Sequence, residues 1–199
     1  MASEEIDDVP IWYEEHGDPT APSLVALHGG IVTFAGSFGD VLPWLTEGHR
    51  VIGVELQGHG HTPDTGRAMS IERFADDVAE LIDRVASGGP VDVWGFSLGG
   101  LTATSLALRH PAKVRRLVLA ASHIRPDGYH PEITAAEQDD PRLPTEEEFA
   151  AWHPDYDAVA PNPEHFFPFL ERLQPVVHDF AGWTADEIRS ITAPTFVVI

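Results

Sequence analysis

Val91-Asp92-Val93-Trp94-Gly95-Phe96-Ser97-Leu98-Gly99-Gly100 reads as a short apolar strand running straight into a Gly-x-Ser-x-Gly turn, with Pro90 just before it. A serine on so tight a strand-to-helix bend takes up strained backbone angles. Gly95 and Gly99, two residues to either side, supply the room this needs. The bend lifts the Ser97 hydroxyl above the sheet, beside the positive end of the following helix. Ser97 is therefore the expected nucleophile of an acyl transfer to water. The Leu98 amide is the first expected donor to the oxyanion.

Strands and helices alternate on both sides of this stretch, the pattern of a parallel sheet covered on both faces. Val9 to Glu15 fits an early edge strand, Ser23 to Leu27 a short buried strand ending at His28-Gly29-Gly30, and Arg50 to Leu56 a strand ending at Gln57-Gly58-His59-Gly60. Ser37 reads as the N-cap of a helix through Leu45, shortened or kinked by Pro43. After Ser70, the residues Ile71, Phe74, Ala75, Val78, Leu81, Ile82 and Val85 form one apolar helical stripe, opposite Asp76, Asp77, Glu80 and Asp83. A further helix is expected from about Leu101 to His110, and a buried strand from Val114 to Ser122. From His123 prolines recur among aromatics and histidines, with short helices expected at 144–152 and 164–177. A last strand runs from Thr195 to Ile199. The division that follows is core over 1–122, helical cap insertion over 123–191 and returning core strand over 192–199.

One N–H stabilises a tetrahedral intermediate less well than two, so a second donor is expected near the elbow. Gly30, followed by Ile31, is the candidate. His28 reads as a structural hydrogen-bonding residue. His59 and His61 lack a carboxylate at metal-ligand spacing, so no metal site is expected. No cofactor is expected either. Phe96 and Ile31 should line the pocket, joined by Phe166 and Phe167 from the Phe166-Phe167-Pro168-Phe169 cluster.

Among 199 residues, 32 acidic against 12 basic side chains give a net charge of −20, and Lys113 is the sole lysine. Such a surface repels nucleic-acid backbones and anionic lipid, so neither is expected as a partner. The balance fits simple solubility, or adaptation to a salty cytoplasm. Cysteine is absent, which removes disulfides and thiolate chemistry. With no apolar run of membrane-spanning length and an acidic N-terminus unlike a secretory signal, the cytoplasm is the expected location. The expected partner is a small ester or acyl compound; oligomeric state is not legible.

Leu27-His28-Gly29-Gly30, Glu55-Leu56-Gln57-Gly58-His59-Gly60, Gly95 to Gly100, Leu117-Val118-Leu119-Ala120 and the Ile191-Thr192-Ala193-Pro194 run together resemble the capped, lipase- and esterase-like branch of the α/β-hydrolases. The resemblance implies an eight-stranded sheet, a helical cap and a Ser–Asp–His triad in that chain order. The implied acid lies just past the strand at Thr195 and the histidine later still, both beyond Ile199. Asp127 is a poor substitute acid. A catalytically silent remnant or binding module is the alternative.

Overall fold

The computed structural model describes residues 1–86, 89–128 and 153–199. Seven strands form one sheet in the order β1-β2-β4-β3-β5-β6-β7. They are β1 (Ala2–Ile6), β2 (Val9–His16), β3 (Ser23–Leu27), β4 (Arg50–Val54), β5 (Val91–Phe96), β6 (Val114–Ala120) and β7 (Thr195–Val198). β1 pairs antiparallel with β2 and β2 with β4, while every pairing from β4 through β7 is parallel. The expected early strand is therefore present, but β1 lies outside it and takes the edge. The resemblance implied eight strands; the described residues hold seven.

Register brings the functional turns together. Leu27 is level with Val54 on one side and Gly95 on the other, and Phe96 is level with Ala120. His28, Glu55, Ser97 and Ala121 thus leave the sheet along one rim. In an open parallel sheet the crevice outside the carboxyl ends of the strands is where ligands bind.

Helix α3 (Ile71–Val85) is capped by the Ser70 hydroxyl, which accepts from the Arg73 amide, and its stripe is buried from Ile71 to Ile82, with Val85 half-buried at its end. Its large apolar side chains each contribute roughly 1.5–3 kcal/mol by leaving water. The helix expected from Ser37 to Leu45 is two short ones, α1 (Phe34–Phe38) and α2 (Leu42–Leu45). Thr33, not Ser37, is the N-cap of α1, and its hydroxyl accepts from the Gly36 amide. Pro43 sits in the first turn of α2, where its missing N–H costs nothing. α4 (Leu98–Arg109) starts directly after Ser97, earlier than its apolar pattern alone suggests.

Between β6 and β7 the described residues form α5 (His153–Asp157), α6 (Phe166–His178) and α7 (Ala185–Ser190). The helix expected over 164–177 is α6, entered through a 3₁₀ turn at Pro163–His165. The short acidic helix expected over 144–152 lies outside the described residues. β7 is exposed along its whole length, with Phe196 at 66% and Val197 at 54% of full exposure. No helix among the described residues is long and apolar enough to cross a membrane.

Candidate active site

Ser97 has φ 50° and ψ −114°, outside the regions an L-residue favours. The bend is held by the Ser97 amide donating to the Ala120 carbonyl at 2.9 Å and by the Gly100 amide donating back to the Ser97 carbonyl at 2.8 Å. Both glycines are required by close approach. A Cβ on Gly95 would lie 2.2 Å from the Gly99 carbonyl oxygen, and one on Gly99 would lie 2.1 Å from the Leu27 oxygen. Ser97 occupies the N-cap position of α4, yet its side chain makes no capping bond. The half-buried hydroxyl is thus not consumed in holding the helix.

Two turns face this hydroxyl. Leu98 is the first residue of α4, so its N–H has no partner inside the helix. Across from it, the turn after β3 carries Gly29, Gly30 and Ile31. The Gly29 amide donates to Ser37 Oγ at 3.2 Å and is therefore occupied. Gly30 is the next amide, and a Cβ placed there would lie 3.8 Å from Leu98 Cδ2. Among the described residues neither the Leu98 nor the Gly30 amide meets a protein acceptor. Ile31 follows at φ 69°, a left-handed conformation that a β-branched residue rarely adopts. Phe96, beside the serine, is 38% exposed, and its ring lies 3.0 Å from the space a Gly29 Cβ would take.

His28 is wholly buried and fixes the rim. Its Nδ1–H donates to the Gly29 carbonyl at 2.6 Å, and its Nε2 accepts the Leu56 amide at 3.0 Å. Accepting from a backbone N–H requires a lone pair on Nε2, so the ring is neutral with its proton on Nδ1. Burial agrees, holding the His28 pKa below its ordinary value. Burial and the neighbouring His28 ring push His59 further down. The two rings lie 4.7 Å apart. His59 Nδ1 bonds the Gln57 carbonyl at 3.1 Å, whereas His61 Nδ1 bonds Glu55 Oε2 at 2.9 Å. The two histidines thus serve different partners. Among the described residues no three His, Asp or Glu side chains converge on a metal position.

Buried Glu55 organises the turn after β4. Its carboxylate accepts the His61 amide at 2.6 Å and the Phe34 amide at 3.3 Å. Gly60, at φ 53°, leaves it the necessary space.

Helix α6 lies across this rim. The Phe169 ring meets His59 edge-on at 4.8 Å and covers Gly58. Leu173 Cδ2 comes to 4.0 Å from the space a Gly30 Cβ would take. Of the two pocket residues expected from this helix, Phe166 is buried behind, against His153 and Tyr156, and Phe167 is 61% exposed. The structure brings Phe169 and Leu173 to the rim instead. The spacing of four between them was the available signal, since it puts both on one helix face. A cleft of about 320 Å³ opens between the start of α3 and the second half of α6, lined in part by Met69, Ile71, Val176 and Phe180. None of the site residues named from the sequence lines it.

Residues 22–152 match the family described as alpha/beta hydrolase fold. A pimeloyl-[acyl-carrier protein] methyl ester esterase of Neisseria meningitidis serogroup C is 41% identical over 124 residues, 62% of this chain and 43% of that protein. A pyrrolizixenacetamide deacetylase of Xenorhabdus hominickii is 31% identical over 107 residues, 54% of this chain and 40% of that protein. Those matches span less than half the length of either relative. Among solved structures, Est816, described as an N-acyl homoserine lactone degrading enzyme, superposes with TM-score 0.72 at 26% identity, covering 97% of this chain and 79% of that one. The enol-lactonase of Burkholderia xenovorans LB400 shares the fold, with TM-score 0.72 at 21% identity over 98% of this chain and 79% of that one.

Proposed function

This chain belongs to the alpha/beta hydrolase fold family, and from that premise we propose that it is a serine hydrolase of small carboxylic esters or related acyl compounds. The observation that carries the reading is Ser97, strained at φ 50° on the rim with its side chain unused by the helix it starts. Strain of this kind, roughly 1–3 kcal/mol, persists where the surroundings impose it, and it clusters at reactive positions.

Ser97 Oγ attacks the acyl carbonyl carbon, and the hydroxyl proton passes to a base. The resemblance to triad hydrolases assigns that base to a histidine. The carbonyl oxygen becomes an oxyanion between the amides of Leu98 and Gly30, each such donor being worth about 3–4 kcal/mol. The tetrahedral centre collapses, the carbon–oxygen bond breaks and the alcohol departs with a proton. Water then repeats the attack on the acyl-serine and frees the acid. Phe96, Ile31, Phe169 and Leu173 form the apolar wall for the acyl group, with Phe166 behind it and Phe167 at its outer margin. Helices α5 to α7 are then the described part of a cap over the core. Relatives named as an esterase and a deacetylase support acyl transfer as the reaction class.

A fluorophosphonate probe tests the assignment. Folded protein should be labelled at Ser97, and Ser97→Ala should lose both the label and at least about a thousandfold in p-nitrophenyl ester turnover. Folded protein that takes no label at Ser97 overturns it and leaves a binding module as the reading.

A further inference from the structure

Asp64, in the turn between β4 and α3, has a side chain with no exposure to solvent. The guanidinium of Arg172 on α6 pairs with its Oδ1. The other terminal nitrogen of Arg172 donates to the Arg67 carbonyl at 2.5 Å. Gln57 Nε2 reaches both acceptors, at 3.4 Å to Asp64 Oδ1 and 2.9 Å to the Arg67 carbonyl. The receiving loop is itself anchored, because the Arg67 side chain is paired with Asp77 of α3 and donates to Gln57 Oε1 at 2.8 Å. On the other side, His165 Nδ1 stands 3.7 Å from Asp64 Oδ2.

The apolar contacts of α6 with the rim are non-directional, so by themselves they let the helix slide or roll. A planar guanidinium that engages two acceptors on one rigid loop fixes both translation and rotation. The next residue along the chain is Leu173, which stands over Gly30, and three residues back is Phe169, over His59. The attachment point and the two side chains that wall the rim therefore share one helix, within five consecutive positions.

From this geometry we infer that the Asp64–Arg172 ion pair is a positioning clasp that sets acyl-chain acceptance, by holding Leu173 at a fixed depth over Gly30. The inference rests on the hydrolase reading above. Neither residue touches the reacting atoms; both act through Leu173.

The experiment compares kcat and KM for p-nitrophenyl acetate, butyrate and octanoate in the wild type, Asp64→Asn, Arg172→Gln, Arg172→Lys and Leu173→Ala. Breaking the clasp should change the octanoate-to-acetate ratio of kcat/KM by about tenfold, mainly through KM, a size typical of misplaced apolar pocket contacts. Acetate turnover should stay within about threefold, because a chain this short does not reach the displaced wall. Arg172→Lys should recover part of the ratio. Leu173→Ala keeps the clasp and should move the same ratio. A chain-length profile unmoved in Leu173→Ala, or in folded Asp64→Asn and Arg172→Gln, overturns the inference. Hydrogen exchange provides an arm independent of turnover: amides of α6 should exchange roughly tenfold faster when the clasp is broken. Unchanged exchange overturns the clasp, whereas faster exchange in a protein that neither labels nor turns over ester overturns only the hydrolase reading.

Discussion

The Gly99 amide donates to the His28 carbonyl at 2.9 Å, so the bend after β5 and the turn after β3 are one hydrogen-bonded unit. Whatever displaces one displaces the other. Gly99→Ala should therefore cost about 3 kcal/mol of stability, because its Cβ would meet backbone at 2.1 Å and backbone cannot step aside. Gly48→Ala, with nothing within 4 Å of the added methyl, is the control and should be close to neutral. Urea denaturation of both variants checks the contrast. Equal stability would mean the two turns are not tightly joined.

Removing the His28 ring leaves the Leu56 N–H and the Gly29 carbonyl without their partner inside the protein. His28→Ala should lose roughly 2–4 kcal/mol, the cost of two buried polar groups left unpaired. Ester turnover should fall with it, since the same turn presents Gly30. A variant that melts with the wild type would show that the ring is dispensable.

Both buried histidines have folded pKa values depressed below the ordinary value. Below about pH 6.5 the unfolded chain takes up protons that the folded protein refuses, so stability should fall as pH drops through that value. Asp77 works in the opposite sense at lower pH, because burial raises its carboxyl pKa despite Arg67. The melting temperature should decline from pH 7.5 to 5.5, and His59→Gln should decline less steeply. Parallel slopes would remove His59 as the cause.

Ile31 holds φ 69° with a β-branched side chain. Ile31→Gly relieves that strain but removes a side chain packed against the core, so the two effects oppose and stability should stay within about 1 kcal/mol of the wild type. Turnover should drop, because a relaxed turn presents the neighbouring Gly30 amide less rigidly. A fully active variant would contradict a strained, functional turn.

The elbow was readable in the sequence because its requirements are local: a strand, two glycines at fixed offsets and an apolar helix. α3 was readable because one uninterrupted stripe and a Ser70 cap point the same way. β1 was not, since Glu4 and Glu5 on a solvent-facing edge strand read as an acidic tail until β2 pairs with them. Ser37 has the chemistry of an N-cap, but its hydroxyl serves Gly29 eight residues earlier while Thr33 caps the helix. The Phe166 to Phe169 cluster announced an apolar wall without revealing which rings turn toward it. Asp64 and Arg172 lie 108 residues apart, and no pattern of spacing connects a loop aspartate to one arginine on a distant helix.

The bend at Ser97 is stitched to the ends of β3 and β6 through main-chain atoms, whereas α6 is held to the rim by the side chains of Phe169, Arg172 and Leu173. Main-chain stitching survives most point mutations, since every residue type offers the same amide and carbonyl. A lineage drifting from this ancestor would therefore change its diet long before it lost its appetite for the reaction.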